Sequence, residues 1–155
     1  MEIKIISIGK TKEKYLKAGI KDYLDRLSHF GRIKYTEGKA IKTKGDHSRL
    51  RSAEAEWIEK QLGRDDFLVL LDENGQALGS RQLAGQMNQW MTHLRRPISF
   101  VIGGAFGFDE RLKERADFTL SLSNMTFSHQ MVRLIFLEQL YRAFTILAGH
   151  AYHND

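Results

Sequence analysis

A chain of 155 residues, 42% hydrophobic and 28% charged, has the composition of one ordered domain, large enough to bury a core without disulfides or metals. With no cysteine it excludes a disulfide framework, thiol catalysis and cysteine-ligated zinc, and it has no apolar run near the ~20 residues of a membrane span. The net charge of +5 comes entirely from residues 1 to 66, which hold 16 Lys and Arg against 11 Asp and Glu; residues 67 to 155 hold eight of each.

The first segment, Ile3-Lys4-Ile5-Ile6-Ser7-Ile8, predicts a strand ended by Gly9. It lacks the charged, apolar, small-residue order of a signal peptide, so a cytoplasmic location is expected. Tyr15, Leu16, Ile20, Tyr23, Leu24 and Leu27 recur at three- and four-residue steps, an amphipathic helix. Ile33 to Thr36 is a weak second strand. The Lys- and Gly-rich stretch from Gly38 to Asp46 is a loop, and Ser48 to Leu62 a second helix closed by Gly63.

Phe67 to Leu71 is a continuous apolar run, as expected of a strand covered on both faces, and Asp72-Glu73-Asn74-Gly75 is expected to turn. Arg81 to His93 is a third helix with Leu83, Met87 and Trp90 on one side. Ile98 to Ile102 is another buried strand, followed by Gly103-Gly104-Ala105-Phe106-Gly107. A short helix spans Asp109 to Arg115, and Phe118 to Leu122 is a strand. A long helix from about His129 to Ala148 stops at Gly149. Strands alternating with helices, without repeats or linkers, predict a single α/β domain with a mainly parallel sheet.

Three strand ends attract attention: Leu71-Asp72, the glycine-rich Gly103 to Gly107, and Ser123 to Phe127. Ligands of open α/β sheets settle beyond the carboxyl ends of strands, where glycines allow close approach. The spacing is Gly-Gly-x-x-Gly, and the next strand end, Leu122-Ser123-Asn124, offers no acid. A nicotinamide site is therefore disfavoured, and a nucleotide-triphosphate loop is absent. The last helix is apolar around nearly its whole circumference, which predicts burial on every side, partly against a second subunit. Set into it are His129, Arg133, Glu138 and Arg142. Arg133 and Arg142 stand nine positions apart and face different ways, while Glu138 and Arg142 have ion-pair spacing. No compact carboxylate–histidine set suggests a metal. Lys10, Lys12, Lys14, Lys17 and Lys21 form one basic cluster, and Lys39, Lys42, Lys44, Arg49 and Arg51 another. Either is a phosphate-attracting face or a solvated one. A basic, non-catalytic ribosome-associated module would explain these lysines but not the glycine-rich strand ends.

Val101-Ile102-Gly103-Gly104-Ala105-Phe106-Gly107, Leu120 to Phe127, His129-Gln130-Met131-Val132-Arg133, Glu138 to Ala143 and Ala151-Tyr152-His153, with the opening Ile8-Gly9-Lys10, together resemble the RlmH family. The resemblance runs the length of the chain. It implies a minimal SPOUT methyltransferase with a C-terminal trefoil knot, acting as a homodimer on large-subunit ribosomal RNA. The implied reaction is S-adenosylmethionine-dependent methylation of N3 of a pseudouridine on the assembled ribosome. Carried over residue by residue, the cofactor contacts fall on Leu71, Gly103, Leu122, Ser123, Asn124, Met125, Thr126 and Phe127. Catalytic or RNA roles fall on His129, Arg142, Tyr152 and His153. Lys10, Lys12, Lys14 and Arg133 are taken as RNA-binding, and no metal is expected. Ser128 stands where the family commonly has proline; serine caps a helix well, so function should survive. Any side chain at Gly103, such as in Gly103→Trp, is expected to block the cofactor and leave a folded dimer.

Overall fold

The computed structural model describes residues Met1–Asp155. The five strands form one wholly parallel sheet, β1 (Glu2–Ser7), β2 (Arg32–Glu37), β3 (Phe67–Ala77), β4 (Ile98–Ile102) and β5 (Phe118–Ser121), in the order β2-β1-β4-β3-β5. Between and after them lie α1 (Lys14–Leu27), α2 (His47–Gln61), α3 (Ser80–His93), α4 (Glu110–Arg115) and α5 (Met131–Leu147). No helix is long and apolar enough to cross a membrane.

Because side chains alternate across a strand, each buried strand feeds two cores. Ile3, Ile5, Val69, Leu71, Phe100 and Ile102 point to the face covered by α1, α3 and α5. Ile6, Leu68, Leu70 and Val101 point to the other, where Ala55 and Ile58 of α2 and Leu112 of α4 meet them. This two-sided burial is why Phe67 to Leu71 is apolar without interruption. Leu83, Met87 and Trp90 of α3 are all buried, as their spacing predicts.

The expected turn at Asp72 to Gly75 does not end its strand. β3 runs on to Ala77 after a bulge, with both Leu71 and Gln76 opposite Leu120 of β5. The Asp72 carboxylate still accepts from the Asn74 amide at 2.9 Å, so the turn chemistry is real but sits inside a bulge. At Gly75 a Cβ would lie 2.6 Å from the Thr119 carbonyl oxygen, and only glycine permits that approach.

Arg133 departs furthest from expectation. It is fully buried, the largest such side chain in the protein, and has no surface to offer RNA. Its Nε donates to the His129 carbonyl at 3.0 Å and its Nη2 to the Ile8 carbonyl at 2.6 Å. Its Nη1 reaches the Gly9 carbonyl at 2.8 Å, the Thr11 hydroxyl at 3.0 Å and the Glu37 carboxylate at 2.8 Å. Gly9 turns its carbonyl to the guanidinium through a positive φ of 81°. The Glu37 carboxylate also accepts from the Thr11 amide and hydroxyl and the Tyr35 hydroxyl. Burial pushes Glu37 up, but the bonds from Thr11 and Tyr35 and the charge of Arg133 outweigh it and hold the group below its ordinary value.

Removing the guanidinium strands a carboxylate and three carbonyls. Arg133→Ala should therefore lower stability by about 3–5 kcal/mol, and Lys, lacking the planar fork, should restore little of it. Urea unfolding followed by circular dichroism measures this; a loss below about 1 kcal/mol would contradict the assigned role.

Candidate functional site

The carboxyl ends of β3, β4 and β5 and the start of α5 enclose a pocket of about 210 Å³. Leu71, Ile102, Leu120, Leu122, Phe127 and Val132 give it an apolar lining, and Asp72, Glu73, Ser123 and Thr126 add oxygen acceptors. Gly103, Gly104, Ala105 and Gly107 present backbone along one wall. A flat apolar ring fits between such side chains, and backbone groups at the strand ends can bond its polar edge.

Leu71, Gly103, Leu122, Ser123, Met125, Thr126 and Phe127, drawn from the sequence as cofactor contacts, all line this pocket; Asn124 is exposed and does not. The loop carrying them is braced from within. The Ser121 hydroxyl donates to the Ser123 carbonyl at 3.0 Å, the Met125 amide to the Ser123 hydroxyl at 2.9 Å, and the Thr126 hydroxyl to the Glu73 carboxylate at 2.8 Å. Ser128 accepts from the Met131 amide at 3.1 Å, the capping expected of a serine there.

Gly103 is needed for a different reason from the one expected. A Cβ at this position would lie 2.9 Å from two carbons of the Phe108 ring. Any side chain would strike the protein's own core before it met a ligand, so Gly103→Trp disrupts the local fold rather than only blocking the pocket.

His129 lines the pocket beside Val132. Burial, then the charges of Arg133 and Lys12, hold its pKa below the ordinary 6.5. The imidazole is thus neutral near pH 7 and able to accept a proton. Gln130 brings the basic segment to the same place: its side chain accepts from the Lys12 amide at 2.9 Å and donates to the Lys10 carbonyl at 3.1 Å. Lys10 folds its ammonium onto the Glu37 carbonyl at 3.0 Å, whereas Lys12 and Lys14 are exposed.

Arg142, Tyr152 and His153 form a separate cluster. Arg142 lies 11 residues along α5 from Met131, about 16 Å of helix axis. It pairs with Glu138, as the spacing predicts, and lies 4.9 Å from the Tyr152 ring centroid. Tyr152 donates to Glu138 at 3.1 Å and lies 3.0 Å from the Tyr23 hydroxyl. Burial, the Tyr23 bond and the Glu138 charge all push the Tyr152 phenol upward, so it stays protonated. Arg142 donates to Nδ1 of His153 at 3.1 Å, which leaves Nε2–H facing Asp155 at 3.0 Å. Arg81 holds that carboxylate at 2.6 and 2.5 Å. The tail is therefore folded onto its own chain rather than frayed, and none of its residues lines the pocket.

One polar group here went unnoticed in the sequence. Glu54 of α2 is only 6% exposed, and its Oε1 has no hydrogen-bond partner. It lies behind the glycine wall, where a Cβ on Gly104 would overlap its carboxylate. The signal available was position: Glu54 stands one turn before Ile58 on the buried stripe of α2. No group of three or more His, Cys, Asp or Glu is arranged to hold a metal.

A parallel α/β sheet with a pocket at its strand ends, sealed by a looped C-terminal segment, is the architecture of one class of methyltransferases. A family described as predicted SPOUT methyltransferase matches residues 1–153. The chain is 47% identical to a ribosomal RNA large subunit methyltransferase H of Christiangramia forsetii, over 99% of both chains. It is 43% identical to the protein of that name from Acetivibrio thermocellus, over 99% of this chain and all of the relative. The counterpart in Geobacter metallireducens is 42% identical over the whole of both. A solved structure of a probable methylase family protein from Haemophilus influenzae Rd KW20 aligns over 99% of this chain and 70% of its own, at a TM-score of 0.52 and 16% identity, a likeness of fold alone. The chain belongs to the SPOUT methyltransferases, and among them to the RlmH family that its motifs resemble.

Burial raises the Glu54 pKa. A group whose folded value is raised costs nothing while protonated and destabilises the fold as pH climbs through that value. Glu54→Gln should therefore gain stability over the native protein as pH rises, reaching about 1 kcal/mol at neutral pH. Thermal unfolding of the two proteins compared at mildly acidic and neutral pH checks this; a pH-independent difference would refute it.

Proposed function

We propose that the protein transfers a methyl group from S-adenosylmethionine to N3 of a pseudouridine in 23S ribosomal RNA, on the assembled large subunit or ribosome, as a homodimer. The observation that carries this reading is the strand-end pocket, with a neutral histidine at its edge, in a chain whose relatives at 40% identity and above are named ribosomal RNA large subunit methyltransferases.

When bound, S-adenosylmethionine supplies an electrophilic methyl group. Leu71, Leu120, Leu122 and Val132 offer apolar surface to its ring system, and Asp72 and Glu73 favour its positive charge. The chain's own work is alignment and the removal of one proton. N3 of the base gains a carbon and loses its hydrogen, and the His129 imidazole is the acceptor at the pocket edge. Lys12 and Lys14 hold phosphate nearby and position the RNA without reading it. The C-terminal trefoil knot implied by the family belongs to this reading too: Leu122, Ser123, Thr126, Phe127 and His129 line one pocket with Gly103, Gly104 and Gly107, distant in sequence.

Dimerisation follows from α5. Its inward face is enclosed by α1, α3 and the sheet, but Met131, Ile135, Glu138 and Arg142 form a half-exposed stripe at helical spacing. Arg142 and the tail share that stripe. A second copy packed there brings Tyr152 and His153 of one subunit to the pocket of the other, which their own chain's geometry does not do.

Purified protein, radiolabelled S-adenosylmethionine and ribosomes from a strain lacking the gene test the reaction. Label should enter the large-subunit RNA, and mass mapping should find it on a pseudouridine; ribosomes that take up no label would end the proposal. His129→Ala should lower the rate about 10²–10⁴-fold. In the native protein the rate should rise with pH through a midpoint below 6.5 and then level off. Deleting Tyr152 to Asp155 should spare cofactor binding and abolish transfer. Thr126→Trp places bulk in the pocket at an exposed position. Heterodimers of these two subunits should regain activity, and inactive heterodimers would mean that the tail does not act across the interface.

A further inference from the structure

Beyond the pocket, the surface carries a pair of stacked rings. Phe106, in the glycine loop, and His47, the first residue of α2, lie with centroids 3.7 Å apart and planes 16° from parallel. Phe106 is nonetheless 46% exposed and His47 is exposed too. The core gains little from an aromatic ring left in water, yet its partner holds it in one orientation. A pre-ordered exposed ring is suited to stacking on another flat molecule.

The surroundings specify which one. Phe106 borders a groove of about 580 Å³ that shares Asp72, Glu73, Ala105, Gly107 and Phe108 with the cofactor pocket, so the two spaces adjoin. The groove holds four carboxylates, Asp72, Glu73, Asp109 and Glu110, against two cations, Arg51 and Lys113. That balance repels phosphate, but carboxylates accept hydrogen bonds from the amino and imino groups of a base and from ribose hydroxyls. The cations suited to phosphate lie outside it: Lys42, Lys44 and Arg49, all exposed, flank His47 in sequence. An unpaired nucleotide satisfies all three parts at once, with its base on the rings, its hydrogen-bond donors toward the carboxylates and its phosphates outward.

We infer that the His47–Phe106 pair is a stacking platform for an unpaired base of the RNA substrate, adjacent to the base that is methylated. This rests on the RNA methyltransferase reading above, and the experiment separates the two. Native protein, Phe106→Ala, His47→Ala and Phe106→Tyr are compared on large ribosomal subunits lacking the modification, by KM for the subunits and by co-sedimentation. S-adenosylmethionine affinity is measured in parallel by calorimetry. Phe106→Ala should weaken subunit binding about 5- to 150-fold, the range for losing one base stack, and leave cofactor affinity unchanged. His47→Ala should weaken it less, and Phe106→Tyr, which keeps the ring, should bind as the native protein does. Unchanged subunit binding in Phe106→Ala overturns the inference, as does a parallel fall in cofactor affinity. A photoreactive side chain at position 106 that crosslinks to a ribosomal protein instead of to RNA also overturns it. Native protein that fails to methylate ribosomes refutes the parent reading instead.

Discussion

The enclosed guanidinium of Arg133 fixes where the end of this chain lies. An ion taken out of water is tolerated only when its donors are met, and here they are met by carbonyls and oxygens from three separate stretches: Ile8 to Thr11, Glu37 and His129. The bonds to Ile8 and Gly9 close gaps of 125 and 124 residues. They clamp the first turn of α5 against the end of β1, and with it the loop that walls the pocket. Burial lowers the His129 pKa most, and the same charge, with that of Lys12, adds to it. One buried arginine thus fixes the position of His129 and helps to keep its proton affinity low.

Two carboxyl groups show how far context divides like residues. Glu37 receives three neighbouring donors and a cation and stays ionised. Glu54 receives none at Oε1 and resists ionisation. The first stabilises the fold; the second is a cost accepted beside the glycine wall, where space is so restricted that Gly104 has no room for a methyl group. Marginal packing of this kind is common next to sites that must admit a ligand.

Periodicity made most of the architecture legible. Apart from the far end of β3, the strands and helices fall within a few residues of their expected places, because two-sided burial and amphipathic spacing are written directly into side-chain type. The turn at Asp72 to Gly75 misled because its residues carry turn chemistry and express it, as a bulge within a continuing strand. Most of the pocket followed from the strand ends and the family motifs. Arg133 was misread because an arginine in a basic chain is indistinguishable, in one dimension, from one that faces solvent. Its burial depends on partners more than 90 residues away. The ordered tail was hidden likewise, since Tyr152 and His153 are held by Tyr23, Glu138 and Arg142 rather than by their neighbours.

The sheet also has two open borders, β2 and β5. An unpaired strand is a template on which another chain can build, and long flat borders invite fibrils. Here β5 is four residues long, and β2 sets exposed Arg32 and Lys34 along its six. Two copies meeting border to border would oppose cation to cation along β2 and find too few amides along β5. The parallel sheet therefore ends where it does, and neither border offers a second copy a ready template.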